Sequence, residues 1–496
     1  MPTIMQYVST RFVRALELAL AASLIFTIGS FAQAPDRNKP PELGPPPALK
    51  VPLIQHLKLS NGIPVTLIEK HQVPLVDIVL QVNAGTAMDP PDKTGLASLT
   101  LAMLDEGAGT RNALQIADEI DFLGASLATG AGQHVSSISL HTLLARLEGA
   151  LTIMSDVTLR PTFPTAELER QRKQRLTALA QAHDNPNAIA AVIYNRVVFG
   201  DLHPYGQRTG GVEKTLRAFT AQDLKSFHAT HFVANNASLI VVGDVTAKSV
   251  LPKLEAAFGK WKAGKITSPT WPEAGQVSDR QIYLVDKPGA AQSVIHIGRL
   301  GVPRLTEEYY AITVMNTILG GSFTSRLNQN LREQHGYAYG ASSGFGFNRL
   351  RGAFTASASV QTDATDKALV EFMKELNGIR GEISDEEMKR AKNYVALSYP
   401  GSFQTTGQIA GELSELVTYG LPDTYFNDYV TNILAVTKEQ AQAAAKKHID
   451  PEKVAIIVVG DREKVEAGIR ALNLGQVNLL TIEEVLGKAP VLEGSD

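Results

Sequence analysis

The 496-residue chain contains no cysteine, an absence that removes disulfides, cysteine-ligated zinc and thiol nucleophiles together. Any metal site must use histidine, aspartate or glutamate. A surplus of either charge is missing as well. The 47 Lys+Arg and 50 Asp+Glu leave a net charge of −3, which gives no global attraction to nucleic acid or to an anionic membrane. Near the N-terminus, the apolar run from Leu18 to Ile28 follows the basic Arg11 and Arg14 and precedes the small residues Ala32 and Ala34. That order of basic region, apolar core and small residues reads as a signal peptide over 1–34. The run is too short for a comfortable membrane span. The expectation is a periplasmic mature protein with no stable membrane span; an N-terminal anchor and a mitochondrial presequence are the alternatives.

What is present is a long alternation of strands and helices with a 44% hydrophobic composition, enough to bury a large core in two or more domains. "IPVTLIEK", "VDIVLQVNAG", "SLATGA", "HVSSISLHTL" and "ASLIVVGD" read as strands. "NALQIADEIDFLG", "PTAELERQRKQRLTALAQAHD" and "TAQDLKSFHATHF" read as helices. A shift of 217 positions lays Ala218, Thr220, His231 and Ile240 to Asp244 on Ala435, Thr437, His448 and Ile457 to Asp461 without a gap. The chain therefore reads as a duplication. The expected organisation is a Pro-rich linker at 35–52, a first domain at 53–264, a joint at 265–279, a second domain at 280–487 and a tail at 488–496.

The segments "LSNGIPVTLIEK", "AGTAMDPPDKTGLA", "HPYGQRTGGVEKTLRAFTAQDLKSFHATHFVANNASLIVVGD" and "ILGGSFTSRLNQNLREQHGYAYGASS", in this order and spacing, resemble the pitrilysin (insulinase) family of zinc metallopeptidases. The resemblance implies an α+β fold of two homologous α/β-roll halves, each a mainly antiparallel sheet packed against helices. Active members carry His-x-x-Glu-His on the helix after "GLA", with a third, glutamate ligand about 75 residues on, in a helix. Here the motif positions are Ser98, Leu99, Thr100, Leu101 and Ala102, and the distal ligand position falls near Ala178. Both histidines, the base and the third ligand are absent. None of the eleven histidines forms an i, i+4 pair, and the nearest alternative, His228 with His231 at i, i+3, lacks an adjacent acid. Bound zinc lowers the pKa of water from about 15.7 to about 7, a difference of roughly 12 kcal/mol that no remaining side chain supplies. The chain alone reads as a pseudopeptidase without a metal.

The resemblance also implies a retained element. An Arg and a Tyr seven residues apart in the second half, which face the zinc in active members, match Arg332 and Tyr339. "SFTSRLNQNLREQ" reads as a helix closed by Gly336, and "YAYGASSGF" as the following strand. A guanidinium can hold a substrate carbonyl or carboxylate, and a phenol can donate to an oxyanion. In some family members two chains pair, one carrying zinc and base, the other the Arg and Tyr. The reading is the non-catalytic subunit of such a heterodimeric, peptide-cleaving metalloendopeptidase, with substrate-binding Arg332 and Tyr339 and with zinc in the partner chain. The competing readings are a structural or assembly scaffold and a processing-peptidase recognition subunit.

Overall fold

The computed structural model describes Gly44 and residues 49–267 and 269–492; the segment read as a signal peptide lies outside the described residues. Two six-stranded sheets organise the rest. The first comprises β1 (Gln55–Lys58), β2 (Pro64–Glu69), β3 (Leu75–Val82), β4 (Ser126–Ala131), β5 (Ser136–Leu143) and β6 (Ala237–Gly243), in the order β1-β2-β6-β3-β5-β4. The second comprises β7 (Gln281–Asp286), β8 (Gln292–Leu300), β9 (Ala338–Phe345), β10 (Ala353–Gln361), β11 (Ala455–Gly460) and β12 (Gln476–Leu480), in the order β9-β10-β8-β11-β7-β12. Most pairings are antiparallel; β2 with β6, β11 with β7 and β7 with β12 are parallel. The fold is the expected α+β pair of mainly antiparallel halves. Five strands of each sheet hold equivalent places, while the outermost sixth is β1 from the start of the first half and β12 from the end of the second.

The helices that matter below are α1 (Leu96–Ala102), α2 (Thr165–Ala182), α3 (Pro186–Phe199), α4 (Ala221–His231), α5 (Tyr309–Leu319), α6 (Thr406–Tyr419) and α7 (Lys438–His448). The repeat seen in the sequence is realised in α4 and α7. Each has 11 residues, begins with a threonine capping box at Thr220 or Thr437, and ends on the histidine of the pair.

The halves trade one helix each. α3, which belongs to the first half in sequence, packs on the second sheet, burying Ile189, Ile193 and Tyr194 against Val294, Ile457 and Val459. Conversely, α6 lies across β3 and β6 of the first sheet, with Ile409, Ala410 and Leu413 against Ile240 and Val242. This exchange explains why "IVVG" is apolar at every position rather than at alternate ones. β11 has helices on both faces and is buried throughout, whereas β10, facing its core on one side only, alternates. The Tyr194 hydroxyl crosses the joint to donate to the Phe354 carbonyl and accepts from Thr355 Oγ1 at 2.9 Å. Gly298 makes that approach possible: a Cβ there would lie 2.1 Å from the Tyr194 oxygen and 2.0 Å from the Phe354 carbonyl oxygen.

Among the described residues, no helix is long and apolar enough to cross a membrane.

Candidate functional site

α1 starts at Gly95, in the left-handed region at φ 92°. Asp89, upstream in "DPPDKT", caps it: its two carboxylate oxygens accept the backbone N–H groups of Gly95 and Ala97, each at 2.8 Å. A Cβ on Gly95 would meet the Gly211 backbone at 2.6 Å, so "TGLA" and "RTGG" need glycine where they touch. Leu99, Thr100 and Leu101 are buried in the first core, and the helix lies between edge strand β4 and α4. Its remaining face carries Ser98 and Ala102, one turn apart. α2 comes to that face. Arg175 donates from Nη1 to Ser98 Oγ at 3.1 Å and from Nη2 to the Ser98 carbonyl at 3.0 Å, and Ala178 follows one turn later on α2.

The expected ligand positions are therefore brought together in space, but the donors there do not fit zinc. Ala102 and Ala178 offer none, Leu101 is apolar, and the Ser98 hydroxyl already accepts from a cation. A guanidinium stands where a metal ion needs anionic or neutral donors.

The second candidate element sits on the other sheet. The helix expected over "SFTSRLNQNLREQ" begins only at Arg326; after one α-turn, Gln329–Gln334 is π-helical, and Arg332 lies in this widened turn. π-turns of this kind occur disproportionately at functional sites. Gly336, at φ 65°, ends it as expected. β9 then runs along the sheet edge, with its register to β10 broken between Ala338 and Ala341. Tyr339 rides this bulge and is 88% exposed, which frees its hydroxyl for a ligand. The Arg332 guanidinium lies between two rings, 4.5 Å from the Phe323 centroid and 5.1 Å from that of Tyr339.

Two further residues set this geometry. Buried Asn328 donates to the Phe323 carbonyl at 2.6 Å and accepts from the Ala341 N–H at 3.2 Å, tying the loop to the bulged strand. Gly320 of "LGGSF" accepts from the Ser343 N–H at 3.1 Å, at an approach no Cβ would allow. The outer edge of β9 is thus sealed from within the chain.

The histidines do other work. His228 donates from Nε2 to the Thr158 carbonyl at 2.8 Å and stacks on Phe232, while His231 packs on Phe227. His448, the repeat partner of His231, instead meets Glu308 at 3.0 Å, so the shared position does not carry a shared contact. Burial holds His296 down at about 4, and burial, then Arg349 and His203, does the same to His134. Both have an unfolded value of 6.5, so the stability they contribute is complete above pH 6.5 and is lost as pH falls toward 4. Asp89 acts oppositely. Burial raises it from 3.8 to about 7, so its contribution is complete below 3.8 and lost as pH rises through 7. His203, His228, His231 and His448 are also held down by burial, against Asp105, Glu412 and His71, which are raised, so the depressed histidines outnumber the raised groups and stability should fall as the pH is lowered from 6.5 to 5. Denaturant titrations at pH 6.5 and 5 check this; a higher midpoint at pH 5 would contradict the assignment.

The family model described as Insulinase (Peptidase family M16) matches residues 64–208, and that described as Peptidase M16 inactive domain matches residues 218–395. The chain belongs to the M16 peptidase family. An M16 peptidase inactive domain from Pseudomonas fluorescens superposes with a TM-score of 0.78 at 28% identity, over 82% of this chain and 98% of that one. An uncharacterized zinc protease of Rickettsia felis is 28% identical over 68% of this chain and 80% of its own length. A non-peptidase homolog of Helicobacter pylori, YmxG, is 23% identical over 84% of this chain and 96% of its own length. Within the M16 family, the second half of this chain is of the inactive-domain type.

The sequence singles out Arg332, Tyr339, Ser98, Ala102 and Ala178; the structure adds Arg175, Phe323 and Asn328 beside them. Arg175 carried one available signal: it lies one turn before Ala178, so any side chain there shares that helix face.

Proposed function

We propose that this M16 chain is the zinc-free subunit of a heterodimeric metallopeptidase, exported to the periplasm by residues 1–34 and paired with a homologous subunit that holds the zinc. One observation carries the reading: the metal face of α1 is dismantled, whereas half-buried Arg332, paired with Glu333 at 3.2 Å, and exposed Tyr339 stay together at the other sheet's edge. A purely structural role has no use for an exposed phenol on a bulge beside the guanidinium of a π-turn.

In this reading the partner's zinc activates the attacking water. Arg332 grips a carbonyl or carboxylate of the peptide with its fork of donors. Tyr339 donates its hydroxyl to the oxyanion as the peptide carbon becomes tetrahedral. Phe323 acts through Arg332 by fixing the guanidinium plane. Phe323→Ala should accordingly raise KM about 2- to 5-fold with kcat little changed, the equivalent of one exposed cation–π contact. A drop in kcat alone would argue against a positioning role.

Co-purification of the native protein tests the assignment. The expected companion is a homologue with intact His-x-x-Glu-His and without the Arg–Tyr pair. Recovery with non-peptidase partners only, in stoichiometric amount, would favour the scaffold reading.

A further inference from the structure

Three arginines project from α2 toward the body of the first half, and two of them are charge-balanced. Arg170 pairs with Glu106 and with Glu167, and Arg172 pairs with Glu169 at 2.9 Å. Arg175 has no acid among the described residues. Its partners are the hydroxyl and carbonyl of Ser98, both neutral, and its Nε is buried with no acceptor. Burial disfavours the charged guanidinium, lowering its pKa. A partly desolvated cation that meets only neutral acceptors is under-compensated. Since a guanidinium has five N–H donors in a rigid fork and Ser98 engages one from each terminal nitrogen, donors remain for an incoming anion.

The surroundings define which anion. The guanidinium lies on the face shared by Ser98, Ala102 and Ala178, where the two alanines bring no polar group to compete for it. Beside that face runs β4, an edge strand whose outward backbone groups have no partner among the described residues. The sealed β9 edge of the other half offers no such row. A planar group that matches the fork and arrives on an extended chain is a peptide carboxylate.

We propose that Arg175 and Ser98 form a carboxylate-binding subsite, which holds a terminal or side-chain carboxylate of a peptide where the family's active members hold metal. The subsite belongs to the isolated chain and does not depend on the partner reading above.

The test uses the full mature chain and three dye-labelled hexa-alanine peptides. One has a free C-terminus, one is amidated, and one is amidated but carries a single internal glutamate. Fluorescence anisotropy at low salt should show a carboxylate-bearing peptide binding about 10-fold tighter than the plain amide, the scale of one charge-assisted pair. The stronger of the first and third peptides identifies the terminal or the side-chain source. Arg175→Gln should erase the preference, and Arg175→Lys should keep part of it, because a point charge replaces the fork. Equal binding of acid and amide peptides overturns the proposal, as does a preference that survives Arg175→Gln. Should that variant fail to fold, an undiminished preference in Arg175→Lys overturns it instead.

Discussion

Tyr339→Phe is expected to leave the fold and the mixed complex intact while peptide hydrolysis falls by about 10²-fold, the usual loss when an oxyanion donor is removed. The substitution deletes one hydroxyl from a side chain that is 88% exposed, so no core contact goes with it. The ring remains to flank Arg332, which keeps the geometry of the pair. Arg332→Ala should chiefly raise KM, because a guanidinium that grips ground and transition states alike contributes uniform binding. Both variants must first be shown to assemble normally, since a weakened interface would imitate a catalytic loss. Correctly assembled complexes of the double variant that still cleave at the wild-type rate would make the pair structural.

Gly298→Ala should cost about 3 kcal/mol of stability, at the upper end for forcing an extra methyl into a packed core. The new Cβ would lie 2.1 Å from the Tyr194 oxygen and 2.0 Å from the Phe354 carbonyl oxygen, and only the tyrosine can retreat. Its retreat breaks the hydrogen bond that pins α3 to the second sheet and loosens the exchange of helices between halves. Tyr194→Phe relieves no crowding and leaves Thr355 and the Phe354 carbonyl short of a partner, for a smaller loss of roughly 1–2 kcal/mol. Urea unfolding of both variants separates the two cases. If Gly298→Ala unfolds at the wild-type midpoint, the close approach is not what holds α3.

How far the sequence could be read depended on whether a residue's role was local. The capped helices α4 and α7 were legible because Thr220 and Thr437 announce their own starts and the histidines mark their ends. The vacated metal face was legible for a related reason: Ser98 and Ala102 lie one turn apart on one helix, and the loss can be counted along the chain. α3 escaped notice. It carries no amphipathic stripe, because apolar residues run all round it: exposed Ala191 and half-buried Val192 and Val197 accompany buried Ile189, Ile193, Tyr194 and Val198. The expected helix start before Arg326 was wrong because Gly320 and Ser322 are drawn to the edge of β9 and to Thr317, which keeps the segment out of the helix. The π-turn at Arg332 and the bulge at Tyr339 leave no mark in composition, since each is set by tertiary partners such as Asn328. For Arg175 the sequence shows only its place on the Ala178 face of α2; its contact with Ser98, 77 residues away, is tertiary.

The most direct measurement is zinc content, taken by atomic emission on tag-free, dialysed protein, for the isolated chain and for the purified heterodimer. The account predicts no bound zinc in the isolated chain, where Ser98, Leu101, Ala102 and Ala178 offer no ligand set and Arg175 places a cation, and one zinc per heterodimer, held by the partner. One tightly held zinc per isolated chain, accompanied by peptide hydrolysis, would contradict it.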